Sequence, residues 1–431
     1  MKPTEGNKTN TACRVCGNKD LKLFLDLGKQ PPANAFVTSE QIGDLEKGYE
    51  KVFPLRVYFC PNCSLVQLLD IVNPGILFKD YAYFTGKSSQ TMKQHFKELA
   101  MKLVAQYLET GDLVIDIGGN DGTFLSCFTD DMKTINVEPS KNVSMESVKK
   151  NITTIADYFN ISTAHNILNE ESGGKAKVIT AANVFAHVDN LHEFMAGVKL
   201  LLEPKGVFVI EVPHLLHLIL NNEFDTIYHE HLSYFSLSSL IKLGDIFNLP
   251  LFKVEKIPVH GGSIRCYFGN HTKDKSILSV LNDEREGGLF DLKTYKEFAK
   301  KVEEIKNSLH MLLVTLKVKE NKRIVGYGAP AKGNTLLNYC GIGPELLDYL
   351  TDTTPYKQGK YSPGMHIPVV SPDRFHEDPP DYALMLPWNF KEEILAKEKY
   401  FLMHGGKWVV PIPFVRMIKK EDFNDKTVMN P

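Results

Sequence analysis

One stretch limits the fold of this chain more than any other: Val114-Ile-Asp116-Ile-Gly118-Gly119-Asn120-Asp121-Gly122. An apolar run long enough for one buried strand ends in glycines, and the next segment, TFLSCF, reads as a helix. Small residues directly after a buried strand let the backbone approach a ligand closely at the strand's carboxyl end. Dinucleotides usually take this geometry with G-x-G-x-x-G. Here Asn120 stands in place of the second glycine, and Asn is the non-glycine residue that best tolerates left-handed backbone. The surrounding sequence keeps alternating. KTINVEP, KVITAANVFAHV and GVFVIEVP read as strands, LHEFMAGVKLLLE as a helix, and LFKVEKIPV with SIRCYFG as a closing antiparallel pair. Such alternation predicts an α/β sheet covered by helices on both faces.

Two further regions flank this domain. Met92, Phe96, Leu99, Leu103 and Tyr107 recur at helical spacing before it, with Ser88 or Ser89 as N-cap. A long helix over about 295–319 follows it, striped by Phe298, Val302, Ile305, Leu309, Leu312 and Leu316. RIVGYGAP then opens a second α/β pattern, with KGNTLLNYCG as its first helix and LLDYLTD, DYALMLPW and KWVVPIP as later strands. The expected divisions are 1–75, 76–270 and 271–431, and 431 residues are too many for one ordinary core.

The first division carries Cys13-Arg-Val-Cys16 and Cys60-Pro-Asn-Cys63. Two residues between cysteines let both thiolates reach one ion from a tight turn, and four thiolates close a tetrahedral structural zinc site with no open position. Gly17 and Ser64 follow the pairs as in zinc knuckles. The other three of the seven cysteines are scattered singly through apolar segments, which fits a reducing cytoplasm and no disulfide framework. The N-terminus lacks the apolar core of a secretory signal, and no apolar run approaches a membrane span. A formal net charge of −2 gives no sign of a nucleic-acid partner. The pattern gives no oligomeric signal.

The glycine loop resembles the D/E-x-G-x-G-x-G loop of S-adenosylmethionine methyltransferases, with Asn120 at the middle glycine. Glu138 ends the next strand, where such enzymes place an acid for both ribose hydroxyls; NAD-binding proteins place one there too. At Tyr228-His229-Glu230-His231-Leu232-Ser233-Tyr234-Phe235 the resemblance narrows. With the paired cysteines, Tyr81-Ala-Tyr83, the IGGNDG loop, Ala186-His187-Val188, His260-Gly-Gly-Ser263-Ile-Arg265 and Gly326-Tyr-Gly328-Ala-Pro-Ala-Lys332-Gly333-Asn334, the chain is similar over nearly its whole length to the sugar C-methyltransferases. These act on nucleotide-linked 4-keto deoxysugars.

That resemblance implies a small N-terminal zinc-binding module, a central Rossmann-like class I methyltransferase domain and a second Rossmann-like C-terminal domain that holds the nucleotide sugar. S-adenosylmethionine would be bound by Asp116, Gly118, Gly119, Asn120, Gly122 and Glu138. His231 would remove a proton next to the ketone, since imidazole titrates near working pH. Tyr228 and Glu230 would orient it or hydrogen-bond the enolate oxygen, and His187 is a second acid/base or cofactor contact. One of Tyr81 and Tyr83 would meet the substrate, as would His260 and Arg265, and Lys332 and Asn334 its diphosphate, with Lys357, Lys360 and His366 as a basic rim. Read without the resemblance, a nicotinamide-dependent oxidoreductase, a zinc-containing binding protein without turnover, and N- or O-methylation stay open.

Overall fold

The computed structural model of the chain describes residues 7–43, 50–77, 90–171, 174–259 and 261–422. Two compact units form, and each draws on separated stretches of chain. The first comprises Met1–Lys22, Tyr58–Leu216 and Leu232–Asp291; the second comprises Leu23–Val57, His217–His231 and Leu292–Pro431. Ring contacts across long sequence gaps join the separated stretches of the second unit. In the second unit Phe24 lies 5.1 Å from Tyr295, Phe53 lies 5.9 Å from His229, and Phe224 lies 5.5 Å from Tyr339.

The first unit is built on β1 (Leu113–Ile117), β2 (Lys133–Val137), β3 (Thr153–Ile155), β4 (Ala176–Ala182), β5 (Leu202–Pro213), β6 (Leu251–Ile257) and β7 (Ser263–Phe268). They form one sheet in the order β6-β7-β5-β4-β1-β2-β3. The strands from β5 to β3 are parallel, and β7 runs antiparallel to both β5 and β6. Successive side chains on a strand point to opposite faces, so β1 feeds two cores. Ile115 and Ile117 join one cluster with Phe194, Phe208 and Leu240. Val114 joins the other, under Phe96, Leu99 and Leu103 of α1 (Gln90–Tyr107). The apolar stripe read from the sequence is therefore the buried face of α1. Its expected serine N-cap lies outside the described residues.

The segment after the glycine loop is shorter than expected. In place of a full helix, the chain makes one 3-10 turn over Leu125–Cys127 and leaves it at an extended Phe128. Asp121 Oδ1 accepts from the backbone N–H and the hydroxyl of Thr123, and the Ser126 hydroxyl donates back to Gly122 O. Ser126 N–H also donates to Gly122 O at 2.9 Å, so the turn starts as a helix would and ends where Phe128 becomes extended.

α2 (Leu191–Leu201), α3 (Leu237–Ile246) and α4 (Ser276–Glu286) also belong to this unit. Glu284 on α4 and His214, just past β5, meet at 2.8 Å with both side chains fully buried. The same carboxylate accepts from the Leu237 and Ser238 backbone N–H groups and from the Ser238 hydroxyl, satisfying orphan donors at the start of α3.

The second unit contains α5 (Leu292–Val314), α6 (Ala331–Cys340) and a sheet of β8 (Ile324–Tyr327), β9 (Leu350–Thr351), β10 (Val369–Val370), β11 (Tyr382–Met385), β12 (Lys407–Val410) and β13 (Arg416–Ile418). The order is β10-β9-β8-β11-β12-β13, parallel except for β13. Gly326 is needed at its centre, because a Cβ there would sit 2.3 Å from Leu350. No helix among the described residues is long and apolar enough to cross a membrane.

Glu284→Ala strips several buried donors of one acceptor. We expect a loss of about 3 kcal/mol from the first transition in urea unfolding. A loss below about 1 kcal/mol would show that the carboxylate does not hold α3 in place.

Candidate active site and metal centre

The two cysteine pairs converge in the first unit. Cys13 and Cys63 have their sulfurs 3.5 Å apart, as do Cys16 and Cys60, and all four Sγ atoms lie within 4.8 Å of one another. A tetrahedral ion bonded to sulfur at about 2.3 Å separates its ligands by about 3.8 Å, so the set fits one zinc. The turns match each other. Gly17 N–H donates to Cys13 O and Ser64 N–H to Cys60 O, both at 2.9 Å, with Gly17 and Ser64 in left-handed backbone. Arg14, between the first two cysteines, is buried. It donates to the carbonyls of Leu68 and Leu232 and to Asp189, while His192 on α2 meets Val15 O at 2.9 Å. The metal module is thereby tied into the sheet's own core, which includes Cys13, Cys60 and Cys63.

At the carboxyl end of β1 the glycine loop bends as its composition requires. Gly118 and Gly122 have positive φ, and Asn120 adopts φ 53°, the left-handed backbone that Asn tolerates. A Cβ on Gly119 would sit 2.4 Å from Asn136 Oδ1 and 2.6 Å from Asp116 Oδ2. Glu138 stands at the end of β2 and accepts from Asn120 N–H at 3.1 Å and Ser140 N–H at 2.8 Å. A carboxylate offers about four acceptor positions, so it retains capacity for a ligand's hydroxyl pair. Burial pushes the Glu138 carboxyl above its ordinary range. Asp116 lies behind the loop, bonded to the Thr180 hydroxyl at 2.6 Å, and burial pushes it up to about 7. The loop and Glu138 thus fit an adenosyl ligand. Asp116 supports the loop from beneath. His187 falls on a 3-10 turn over Phe185–His187, just beyond β4.

Beside this edge the structure assembles charges that sequence reasoning missed. Arg265, expected to meet the substrate, donates through Nε to Glu211 at 2.6 Å and through Nη1 to Glu255 at 3.1 Å. His95 Nε2 meets the other Glu211 oxygen at 2.8 Å. Burial would push Glu211 up, but His95 and Arg265 outweigh it and hold the carboxyl below its ordinary range. His95 lies within the periodic apolar pattern of α1, and nothing in its local sequence marks it.

In the second unit, the segment preceding Leu232 turns, with His231 N–H donating to Tyr228 O at 2.9 Å. His231 Nδ1 lies 2.9 Å from Thr226 O, and its Nε2 lies 3.0 Å from the Tyr228 hydroxyl. A carbonyl only accepts, so Nδ1 carries the proton and Nε2 is the basic nitrogen. Tyr228 and His231 also stack, with centroids 4.1 Å apart. Glu230 is 3% exposed, and its carboxyl accepts from the Asn34 amide at 2.7 Å. Burial pushes it up to about 7 against the opposing pull of that amide. Lys332 Nζ contacts Asn389 Oδ1 and lies 4.4 Å from the centre of the Trp388 ring, while Asn334 is buried and donates to Ala33 O at 2.7 Å. Lys357 bonds Ala329 O and Asp352, Lys360 lies over the Tyr356 ring, and His366 meets Glu50 at 2.9 Å. Tyr81, Tyr83 and His260 lie outside the described residues.

Comparisons with known proteins follow this geometry along the chain. Family models match as a zinc binding domain at residues 13–78, a methyltransferase domain at 91–252 and a C-methyltransferase C-terminal domain at 258–413. The C-methyltransferase NovU of Streptomyces niveus is 36% identical over 415 residues, covering 95% of this chain and 97% of NovU. The chain belongs to the C-methyltransferase family. It is an S-adenosylmethionine-dependent enzyme with a zinc-binding N-terminal segment. Among solved structures, a Synechocystis magnesium protoporphyrin IX methyltransferase with bound S-adenosylhomocysteine gives a TM-score of 0.33 at 12% identity, covering 44% of this chain and 91% of its own. A Clostridium acetobutylicum S-adenosylmethionine-dependent methyltransferase gives 0.32 at 13%, covering 42% and 92%.

Two measurements probe this site. Freshly purified protein should carry one zinc per chain by elemental mass spectrometry, and Cys60→Ser should release it; substoichiometric metal in folded wild type would contradict the tetrahedral reading. The second concerns Glu230. Between the ordinary carboxylate range and about 7, the folded state keeps a proton that the unfolded chain has lost. Stability from this group therefore falls as pH rises through that window. Against Glu230→Gln, the wild type should lose about 2–3 kcal/mol more between pH 5 and pH 8. A pH-independent difference would mean that this carboxyl ionises as it does in water.

Proposed function

We propose that this C-methyltransferase acts on a nucleotide-linked 4-keto deoxysugar and methylates the carbon next to the ketone through an enolate. The observation that carries this reading is the fixed tautomer of His231. Thr226 O holds the proton on Nδ1, which leaves Nε2 as the lone-pair nitrogen. Carbon methylation needs a base because an unactivated carbon has no lone pair to offer, whereas nitrogen or oxygen acceptors do.

In the proposed step, His231 Nε2 takes the proton from the carbon beside the ketone. The C–H electron pair becomes the carbon–carbon double bond, the carbonyl π pair moves to oxygen, and the imidazole becomes imidazolium. The Tyr228 hydroxyl, which donates to Nε2 before the step, turns its hydrogen to the developing enolate oxygen as Nε2 takes the carbon's proton, and Glu230, kept protonated near neutrality by burial, has a second hydrogen suited to that oxygen. S-adenosylmethionine, when bound, supplies the methyl group to the nucleophilic carbon. We assign its adenosyl portion to Gly118, Gly119, Asn120, Gly122 and Glu138, with Asp116 beneath them. His187 is a second acid/base or cofactor-contact residue in the same proposal.

Enolisation separates from methyl transfer in deuterium oxide. With thymidine diphosphate 4-keto-6-deoxyglucose and S-adenosylhomocysteine, the wild type should exchange the hydrogen next to the ketone, and His231→Asn should slow this at least about 100-fold. Calorimetry should show S-adenosylhomocysteine binding unchanged in the variant. Exchange at the wild-type rate in His231→Asn would remove the histidine from the base role. Absence of thymidine diphosphate binding by the loaded wild type would remove that nucleotide from the acceptor.

A further inference from the structure

Asp225 is fully buried and lies one residue before the carbonyl that fixes His231. Its carboxylate accepts the Trp388 indole N–H at 2.6 Å. Burial pushes the Asp225 and Glu223 carboxyls up, and the Lys332 ammonium, over the face of the same indole, opposes that shift as a neighbouring positive charge. The turn that carries Asp225 is tightly specified. Phe224–Thr226 is a 3-10 turn in which the Thr226 hydroxyl donates to Glu223 O at 2.7 Å. Just before it, Asn222 in left-handed backbone donates its amide to Pro413 O at 2.9 Å. The turn is thus pinned on one side by Asn222 and on the other by Asp225. Thr226 O then points at His231 Nδ1.

We propose that Trp388 and Asp225 are positioning residues for the enolising base, acting through the Thr226 carbonyl that sets its tautomer. The proposal rests on the reading of His231 as the base. Neither residue needs to touch substrate. A buried carboxylate requires donors, and the indole N–H is the one that a distant part of the chain supplies. Loss of that donor frees the turn to rotate, the Thr226 carbonyl loses its aim, and the proton on Nδ1 is no longer preferred over one on Nε2. Lys332, which the sequence suggested for diphosphate contact, serves here as the counter-charge to Asp225 and Glu223.

The test uses the full-length, zinc-loaded enzyme with nitrogen-15 histidine, read by long-range proton–nitrogen spectra, with His231→Asn assigning the signal. The wild type should show His231 as a single Nδ1–H tautomer at pH above its titration. Trp388→Phe keeps the ring and removes the donor. It should give mixed tautomers and a moved titration midpoint, with S-adenosylhomocysteine affinity unchanged. Asp225→Asn retains an acceptor for the indole and should keep the single tautomer, whereas Asp225→Ala should lose it. That pair decides the matter where Trp388→Phe fails to fold. A single, unmoved tautomer in Trp388→Phe, or identical behaviour in Asp225→Asn and Asp225→Ala, overturns the proposal. The deuterium exchange assay then separates the two readings. If His231 is the base, Trp388→Phe lowers exchange about tenfold with little change in KM; if His231→Asn itself exchanges normally, the base reading fails while the tautomer result still stands.

Discussion

Four sulfur atoms gathered within 4.8 Å of one another are a demanding arrangement. As thiolates they repel strongly, and only a cation between them turns that repulsion into cohesion. Much of the first unit is organised around this point. Cys13, Cys60 and Cys63 belong to the same apolar cluster as β1, β4 and β5, and Arg14 reaches from the metal turn to the carbonyls of Leu68 and Leu232. The zinc segment is therefore continuous with the core beneath the glycine loop. Four sulfurs leave the ion no open position, so its role is structural.

Buried acids in the two units contrast in how they ionise. Asp116, Glu223 and Glu230 are each pushed by burial up to about 7. Glu211, equally buried, is pulled below its ordinary range because His95 and Arg265 meet its oxygens. Burial alone therefore does not decide charge; the presence of a cationic donor does. The first group can hold protons near neutral pH and the second cannot.

The parts legible in the sequence were those governed by local rules. Alternating apolar runs gave the strands, helical spacing gave the buried face of α1, and Asn120 announced its own left-handed backbone. The cysteine spacing gave the metal site. What the sequence hid depended on distance along the chain. Asn34 is read locally as part of a proline-containing stretch, and only folding shows its amide on Glu230. Arg265 looks like a ligand-facing cation until Glu211 and Glu255 are seen around it. The helix expected after the glycine loop is cut to one turn because the chain becomes extended at Phe128, which nothing in TFLSCF marks. Also hidden was that Leu23–Val57 and His217–His231 pack with residues far downstream.

That interleaving has a consequence for how the enzyme comes into being. A ribosome releases residues in order, and a segment whose partners are encoded later must wait for them. Phe224 needs Tyr339, Asp225 needs Trp388, and Asn222 needs Pro413. The seven-stranded sheet ends its chain requirement at Phe268, so it has all its strands before any of these partners has been synthesised. The nascent chain passes through an interval in which the glycine loop has its sheet while the turn beneath His231 lacks its anchors. The last of those anchors, Pro413, is made when little of the chain remains to be synthesised.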